Sequence, residues 1–244
     1  VKKFAVFDID GTLFRWQLFH EVVFELIKSG HLPAQVRHDI EETLQQWRAR
    51  KHSGSFHDYE MALVKAFLPH VPTIKVSALE DAADTVIKRC STHVYMYTRS
   101  LIESLKKEGY TLIAISGSQN EIVQRFAKLW HFDLAVGQIF ETKDGYYTGA
   151  IPGSKLLVDQ KDTILKQLVK EHGLSWEGSV AVGDSLSDAA TLKLVEQPVA
   201  FNPNDLLFTL AKEKGWKVVI ERKNMIYELE PQNGVYLLAN ASTR

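Results

Sequence analysis

Phe4-Ala-Val-Phe-Asp-Ile-Asp-Gly-Thr-Leu-Phe14 is the stretch around which the chain is organised. Four apolar residues, Phe4–Phe7, suit a parallel strand buried on both faces, so Asp8 falls at its carboxyl end. Residues two apart in extended chain point the same way, which sets the Asp8 and Asp10 carboxylates on one side. Two like charges that close become tolerable when a cation lies between them or one of them holds a proton. The first arrangement is a hard-metal site and the second a general acid; one loop can provide both. Gly11 permits a tight turn with its amide free, and Thr12 adds a hydroxyl near any bound anion. The plain structural alternative is a strand ending in an Asp-Gly turn, and the longer D-x-D-G-T string weighs against it.

With 244 residues and 45% apolar content, the chain can bury a full core in one domain or one domain with an insert. A net charge of −1 gives no electrostatic case for nucleic acid or an anionic membrane. No apolar stretch is long enough to span a bilayer, and the aspartates interrupt any signal-peptide pattern after Val1-Lys2-Lys3. The single cysteine, Cys90, cannot form an internal disulfide and reads as a small packed side chain, so a reducing, cytoplasmic setting is expected.

Outward from the first strand, residues 15–90 contain helical spacing and no convincing strand. Trp16–Ile27 place apolar residues at 19, 22, 23, 26 and 27; Val36, Ile40, Leu44 and Trp47 repeat after Pro33; Phe56–Leu68 and Ser77–Lys88 complete the set. An all-helical insert is therefore expected over 15–90, rooted just past the aspartates, with 1–14 and 91–244 as the core. From Ser91 the pattern becomes alternating helix and strand: strands at Tyr110–Ile115, Phe132–Val136, Ser179–Val182, Val199–Phe201 and Val218–Ile220, with helices between. Such alternation means an α/β fold, a Rossmann-like parallel sheet flanked by helices. Two hairpins are expected, one around Lys143-Asp144-Gly145 and one in the tail around Pro231-Gln-Asn-Gly234, the latter without an evident purpose.

Parallel sheets bind ligands at the carboxyl ends of their strands. Here the three clearest strands end in Asp8, Ser116 and Asp184. Ser116 and Gly117, ahead of a helix amino terminus that Ser118 could cap, form a potential phosphate site, with a simple helix cap as the alternative. Asp188 follows Asp184 by four residues, so both can face one pocket, and oxygen ligands on a rigid edge suit Mg²⁺. Lys161 precedes the helix leading into that strand; Lys155 is the competing lysine.

Taken in order, D-I-D-G-T, S-G-S, Lys161 and G-D-S-L-S-D resemble the four motifs of the haloacid dehalogenase-like hydrolases, and the helical insert is similar to the cap of the phosphoserine-phosphatase-like branch. The match spans most of residues 3–205. The resemblance implies a phosphatase that hydrolyses a small phosphomonoester through an aspartyl-phosphate, with Mg²⁺ as cofactor. It implies Asp8 as nucleophile, Asp10 as general acid and base, and Thr12, Ser116, Gly117 and Lys161 around the phosphate. Asp8, Asp10 and Asp184 would serve the metal, with Asp188 as outer support. A phosphotransferase of the same mechanism and a non-catalytic phosphate-binding protein are the alternatives; the two intact aspartates speak against the second.

Departures from the pattern bear on the substrate. In phosphoserine phosphatases a glutamate nine residues after the nucleophile meets the substrate amine, and Gln17 stands there; alignment at Ser55-Phe56 puts Leu63 where an arginine would grip the carboxylate. Each lost buried charge contact would cost about 2–5 kcal/mol, so phosphoserine is expected to be a poor substrate. Gln17, Phe56 and Leu63 are the cap positions to examine for specificity, and Trp16 and Phe19 are either pocket lining or helix core. The basic residues around His52 and His57 read as a solvated face.

Overall fold

The computed structural model describes residues 2–243; Val1 and Arg244, the outermost residues of the expected core, lie outside them. The first strand, β1 (Lys2–Phe7), shows why its sequence is apolar throughout: Phe4 and Val6 enter one hydrophobic cluster, Ala5 and Phe7 another on the opposite face. The chain then leaves the sheet and builds α1 (Leu18–Lys28), α2 (Gln35–Asp39), α3 (Glu41–Arg48), α4 (Ser55–Phe67) and α5 (Val76–Cys90). The single helix expected through Val36 and Trp47 is thus two, meeting at Ile40 (φ −101°, ψ −3°).

Amphipathic spacing assembles this insert. Val22, Val23 and Leu26 of α1 are buried with Leu79, Ala83 and Val86 of α5, and the two helices pack together. Arg89 of α5 bonds both Glu21 (2.8 Å) and Glu25 of α1, fastening the pair at its edge. Exit and return run side by side: Tyr95 N–H donates to the Leu13 carbonyl and Arg15 N–H to that of His93, both at 2.9 Å.

The remainder alternates as expected, through α6 (Met96–Lys107), β2 (Thr111–Gln119), α7 (Asn120–Leu129) and β3 (Leu134–Gln138). A short hairpin, β4 (Thr142–Lys143) with β5 (Tyr146–Tyr147), is followed by α8 (Lys161–Glu171), β6 (Leu174–Gly183), α9 (Ala189–Leu192), β7 (Gln197–Phe201), α10 (Asp205–Lys214) and β8 (Lys217–Arg222). The short hairpin belongs to the insert's surroundings, because Tyr146 bridges Lys75 and Gly145 accepts from the Val76 amide at 3.0 Å. The tail hairpin gains a purpose: β9 (Met225–Gln232) and β10 (Val235–Thr243) extend the sheet antiparallel beyond β8. Asn233 and Gly234, both at positive φ, make its two-residue turn.

The eight strands lie in the order β10-β9-β8-β7-β6-β1-β2-β3, the six from β3 to β8 parallel. Consecutive strands spread to opposite sides of β1, so the crevice of a doubly wound sheet opens where β2, β1 and β6 end. Asp8 and Asp184 directly follow β1 and β6 there, and Ser116 lies near the carboxyl end of β2, three residues before its last residue.

Candidate active site

The turn after β1 is fixed by Gly11. Its φ is +83°, and a Cβ there would sit 2.2 Å from an oxygen of Asp184, so backbone conformation and close approach both demand glycine. Gly183, at the end of β6, is confined by close approach alone, with Asp188 2.4 Å from where its Cβ would be. Gly11 lets the loop after β1 close on Asp184, and Gly183 lets the loop after β6 fold back on its own strand end.

Carboxylate oxygens of Asp8, Asp184 and Asp188 all lie within 4.8 Å of one another. Lys161, the first residue of α8 and only 3% exposed, reaches into the group: its Nζ is 2.7 Å from Asp8 and 2.6 Å from Asp188. Lys161 therefore occupies the place for which Lys155 was the competitor; Lys155 is exposed. The other oxygen of Asp188 accepts from the amides of Asp184 (3.2 Å) and Ser185 (3.1 Å), the second half of a capping box that starts the 3-10 turn Leu186–Asp188. Thr12 donates its hydroxyl to Asp184 at 3.3 Å, so in this form it serves a carboxylate instead of facing an open anion site.

Three carboxylates and one ammonium leave net negative charge in a buried place. Burial, with the charges of Asp188 and Asp10, pushes Asp8 up to about 8 against the pull of Lys161. Burial and the charge of Asp8 raise Asp184 well above the usual carboxylate range. Lys161 shows the reverse: burial works to lower its proton affinity, and Asp188 and Asp8 together outweigh it, so it is raised. An all-oxygen donor set that favours proton uptake when no other positive charge is present fits a hard divalent cation.

Asp10 does not bring its carboxylate into that group, although it was expected among the metal residues. Its oxygens accept from the Leu18 amide, the Ser116 hydroxyl (2.6 Å) and the Ser118 hydroxyl (2.9 Å). Burial raises its proton affinity and these bonds oppose the rise. Ser118 was expected to cap α7 and does not: β2 runs on to Gln119, which takes the N-cap position without a side-chain bond, while the Ser118 hydroxyl faces Asp10 and accepts from the Phe19 amide at 2.9 Å. Ser116 is wholly buried on Asp10, and Gly117 beside it is exposed, with Val158 2.8 Å from a would-be Cβ.

On the insert, Gln17 is half-buried at the N-cap of α1, and Phe56 is half-buried on α4. Leu63 is sealed in the core at 0% exposure. Trp16 stacks on Trp47 at 5.2 Å, and Phe19 meets Phe67 edge-on at 5.4 Å. Two residues escaped the sequence reading. Glu60 of α4 is half-buried, and burial together with the charge of Asp10 pushes it to about 7. Its signal was an acid one turn from Phe56 on the stripe that continues through Leu63 and Phe67. His20 is buried among Trp16, Phe19, Phe56 and Tyr59 with its Nδ1 unpartnered, and burial lowers it to about 3.

A family model described as haloacid dehalogenase-like hydrolase matches residues 5–193. The chain is 30% identical over 230 residues to a histidinol-phosphatase of Neisseria meningitidis serogroup C (strain 8013), covering 90% of this chain and 99% of that one. It is 26% identical over 226 residues to a phosphoserine phosphatase of Methanocaldococcus jannaschii, covering 92% and 94%. In fold it resembles a protein of unknown function from Bordetella pertussis Tohama I, with a TM-score of 0.71 at 19% identity over 91% of this chain and 99% of that one.

Proposed function

The chain belongs to the haloacid dehalogenase-like hydrolases, and from that premise we propose that it is a Mg²⁺-dependent phosphatase hydrolysing a small phosphomonoester through an aspartyl-phosphate on Asp8. The observation that carries this reading is the buried contact of Lys161 with Asp8 and Asp188, beside Asp184, at the switch point of the sheet. Phosphoryl transfer needs an in-line nucleophile, neutralised charge and donors on the equatorial oxygens. Asp8 supplies the nucleophile. Lys161, Ser116 and the backbone at Gly117 supply donors, Ser116 turning from Asp10 to the phosphate.

Asp8 and Asp184 would hold the Mg²⁺, whose charge when bound keeps Asp8 ionised and offsets repulsion by the substrate dianion. Asp188, with both oxygens already bonded, fixes the two loops and Lys161 from behind. Asp10 protonates the departing alkoxide and later takes a proton from the water that releases phosphate, a double role suited to a carboxyl balanced between burial and three donors. Residues 15–90 act as a cap over these groups.

Histidinol-phosphatases and phosphoserine phosphatases among the relatives, together with the absence of charge at Gln17 and Leu63, favour an amino-bearing phosphate ester other than phosphoserine. Among the described residues no helix is long and apolar enough to cross a membrane. The test is hydrolysis of p-nitrophenyl phosphate with Mg²⁺ or EDTA, by the native chain and by Asp8→Asn. Expected are metal-dependent turnover and its fall by at least about 10³-fold in the variant, with an unchanged circular-dichroism spectrum. Undiminished turnover by Asp8→Asn, or indifference to EDTA, would refute the proposal.

A further inference from the structure

Glu60 is half-buried at the edge of the inward stripe of α4, one turn from Phe56 and from buried Leu63, while Met61 beside it is exposed. No hydrogen bond or ion pair among the described residues engages its carboxylate. Trp16, which meets the Phe56 ring one turn from Glu60, lies two residues before Leu18, whose amide bonds Asp10, so the acid is one helical turn from a ring packed on the loop that carries Asp10, and the charge on Asp10 raises its proton affinity. Phe56, one turn away on the same stripe, packs on Trp16 at 6.0 Å and Trp47 at 5.4 Å. Trp16, Trp47 and Phe56 are all half-buried, so each keeps some open surface.

An extra carboxylate near a site that must accept a phosphate dianion only adds repulsion, unless the substrate brings positive charge of its own. An unpaired acid next to a wall of rings is a setting in which charge attraction and cation–π attraction act on the same guest. Leu63, sealed in the core, offers no positive charge to a substrate carboxylate.

We propose that Glu60 is a specificity determinant which, against the ring wall of Trp16, Trp47 and Phe56, binds a protonated nitrogen on the alcohol half of the phosphomonoester. The alcohol released is then a cationic aminoalkanol, not an amino-acid zwitterion such as serine. This rests on the phosphatase reading above and adds to it the chemistry of the leaving group.

The test compares ω-aminoalkyl phosphates of two to five carbons with alkyl phosphates of matching length, using the native chain, Glu60→Gln and Glu60→Asp. The native chain should favour the amine by at least about tenfold in kcat/KM at its best length, and phosphoethanolamine over phosphoserine. Glu60→Gln should bring that ratio to about one through KM, and Glu60→Asp should restore part of it. Melting shifts induced by aminoalkyl phosphonates should follow the same order. The assignment is overturned by an equal preference for amine and alkyl esters, by a preference that survives Glu60→Gln, or by a kcat loss shared by both ester series. Turnover of alkyl esters without amine preference sinks Glu60 alone; no turnover of any ester sinks the phosphatase reading and the assignment with it.

Discussion

Exchanging Lys161 for Met removes the cation that Asp8 and Asp188 share in the interior. Taking one member from a buried ion group costs on the order of 3–5 kcal/mol. The chain can soften that loss by binding a proton, and the cost of doing so gives an independent magnitude. Asp8 sits near 8 with Lys161 present, so without it the cluster must hold one proton more at pH 7. Protonating a carboxyl whose unfolded pKa is about 3.9 costs about 1.4 kcal/mol for each pH unit up to 7, or about 4 kcal/mol. The two routes agree. For a chain of this length each kcal/mol is worth about 2–4 °C, so the melting midpoint of Lys161→Met in EDTA should fall by about 6–20 °C at pH 7. The sign with pH follows from the proton count: the folded variant binds the extra proton and its unfolded form does not, so stability is lost as pH rises from 4 through 8. The deficit against the native chain should therefore narrow toward pH 5, as read by circular-dichroism melts at several pH values. An unchanged midpoint at pH 7, or a deficit that does not vary with pH, would show that Lys161 is not the counter-charge of the cluster.

His20 gives the opposite slope. Burial depresses it to about 3 in the folded chain against about 6.5 unfolded, so its contribution is present above pH 6.5 and is lost as pH falls; between pH 6.5 and 5 about 2 kcal/mol should go, and His20→Leu should remove that part of the acid sensitivity in urea titrations. The same acid slope in His20→Leu would assign the loss elsewhere. Glu221 of β8 is buried and accepts the amides of Met96 (3.1 Å) and Tyr97 (2.9 Å), satisfying two orphan donors at the start of α6. Glu221→Ala should destabilise the chain by about 1–2 kcal/mol in thermal melts, and a midpoint equal to the native one would refute the capping role.

The sheet and its polar edge were legible because strand ends that carry chemistry interrupt apolar runs abruptly: Phe7 gives way to Asp8, Ile115 to Ser116, Gly183 to Asp184. The direction of each side chain was not. Ser118 looked like a helix cap because local sequence cannot show that β2 continues to Gln119 and turns the hydroxyl toward Asp10. Thr12 bonds a residue 172 positions away and Asp10 bonds Ser116 and Ser118, each more than 100 away, so these bonds are products of tertiary closure. Glu60 was missed for a related reason. A glutamate on an amphipathic helix is ordinarily solvated, and only the packing of α4 within the insert leaves this one half-buried. The tail hairpin was visible as a hairpin, while its attachment to β8 depended on a pairing that the turn residues do not specify.

Leu18 and Phe19 open α1, and their amides go to Asp10 and to the Ser118 hydroxyl that also holds Asp10. On the reading proposed above, the proton-handling group takes two of its three donors from the end of β2 and one from the insert. Withdrawing α1 to admit an ester would then strip the Leu18 donor from the acid and make it cling harder to its proton. Admission and arming would then be opposite throws of one lever, with its fulcrum at the peptide pair that begins the first helix.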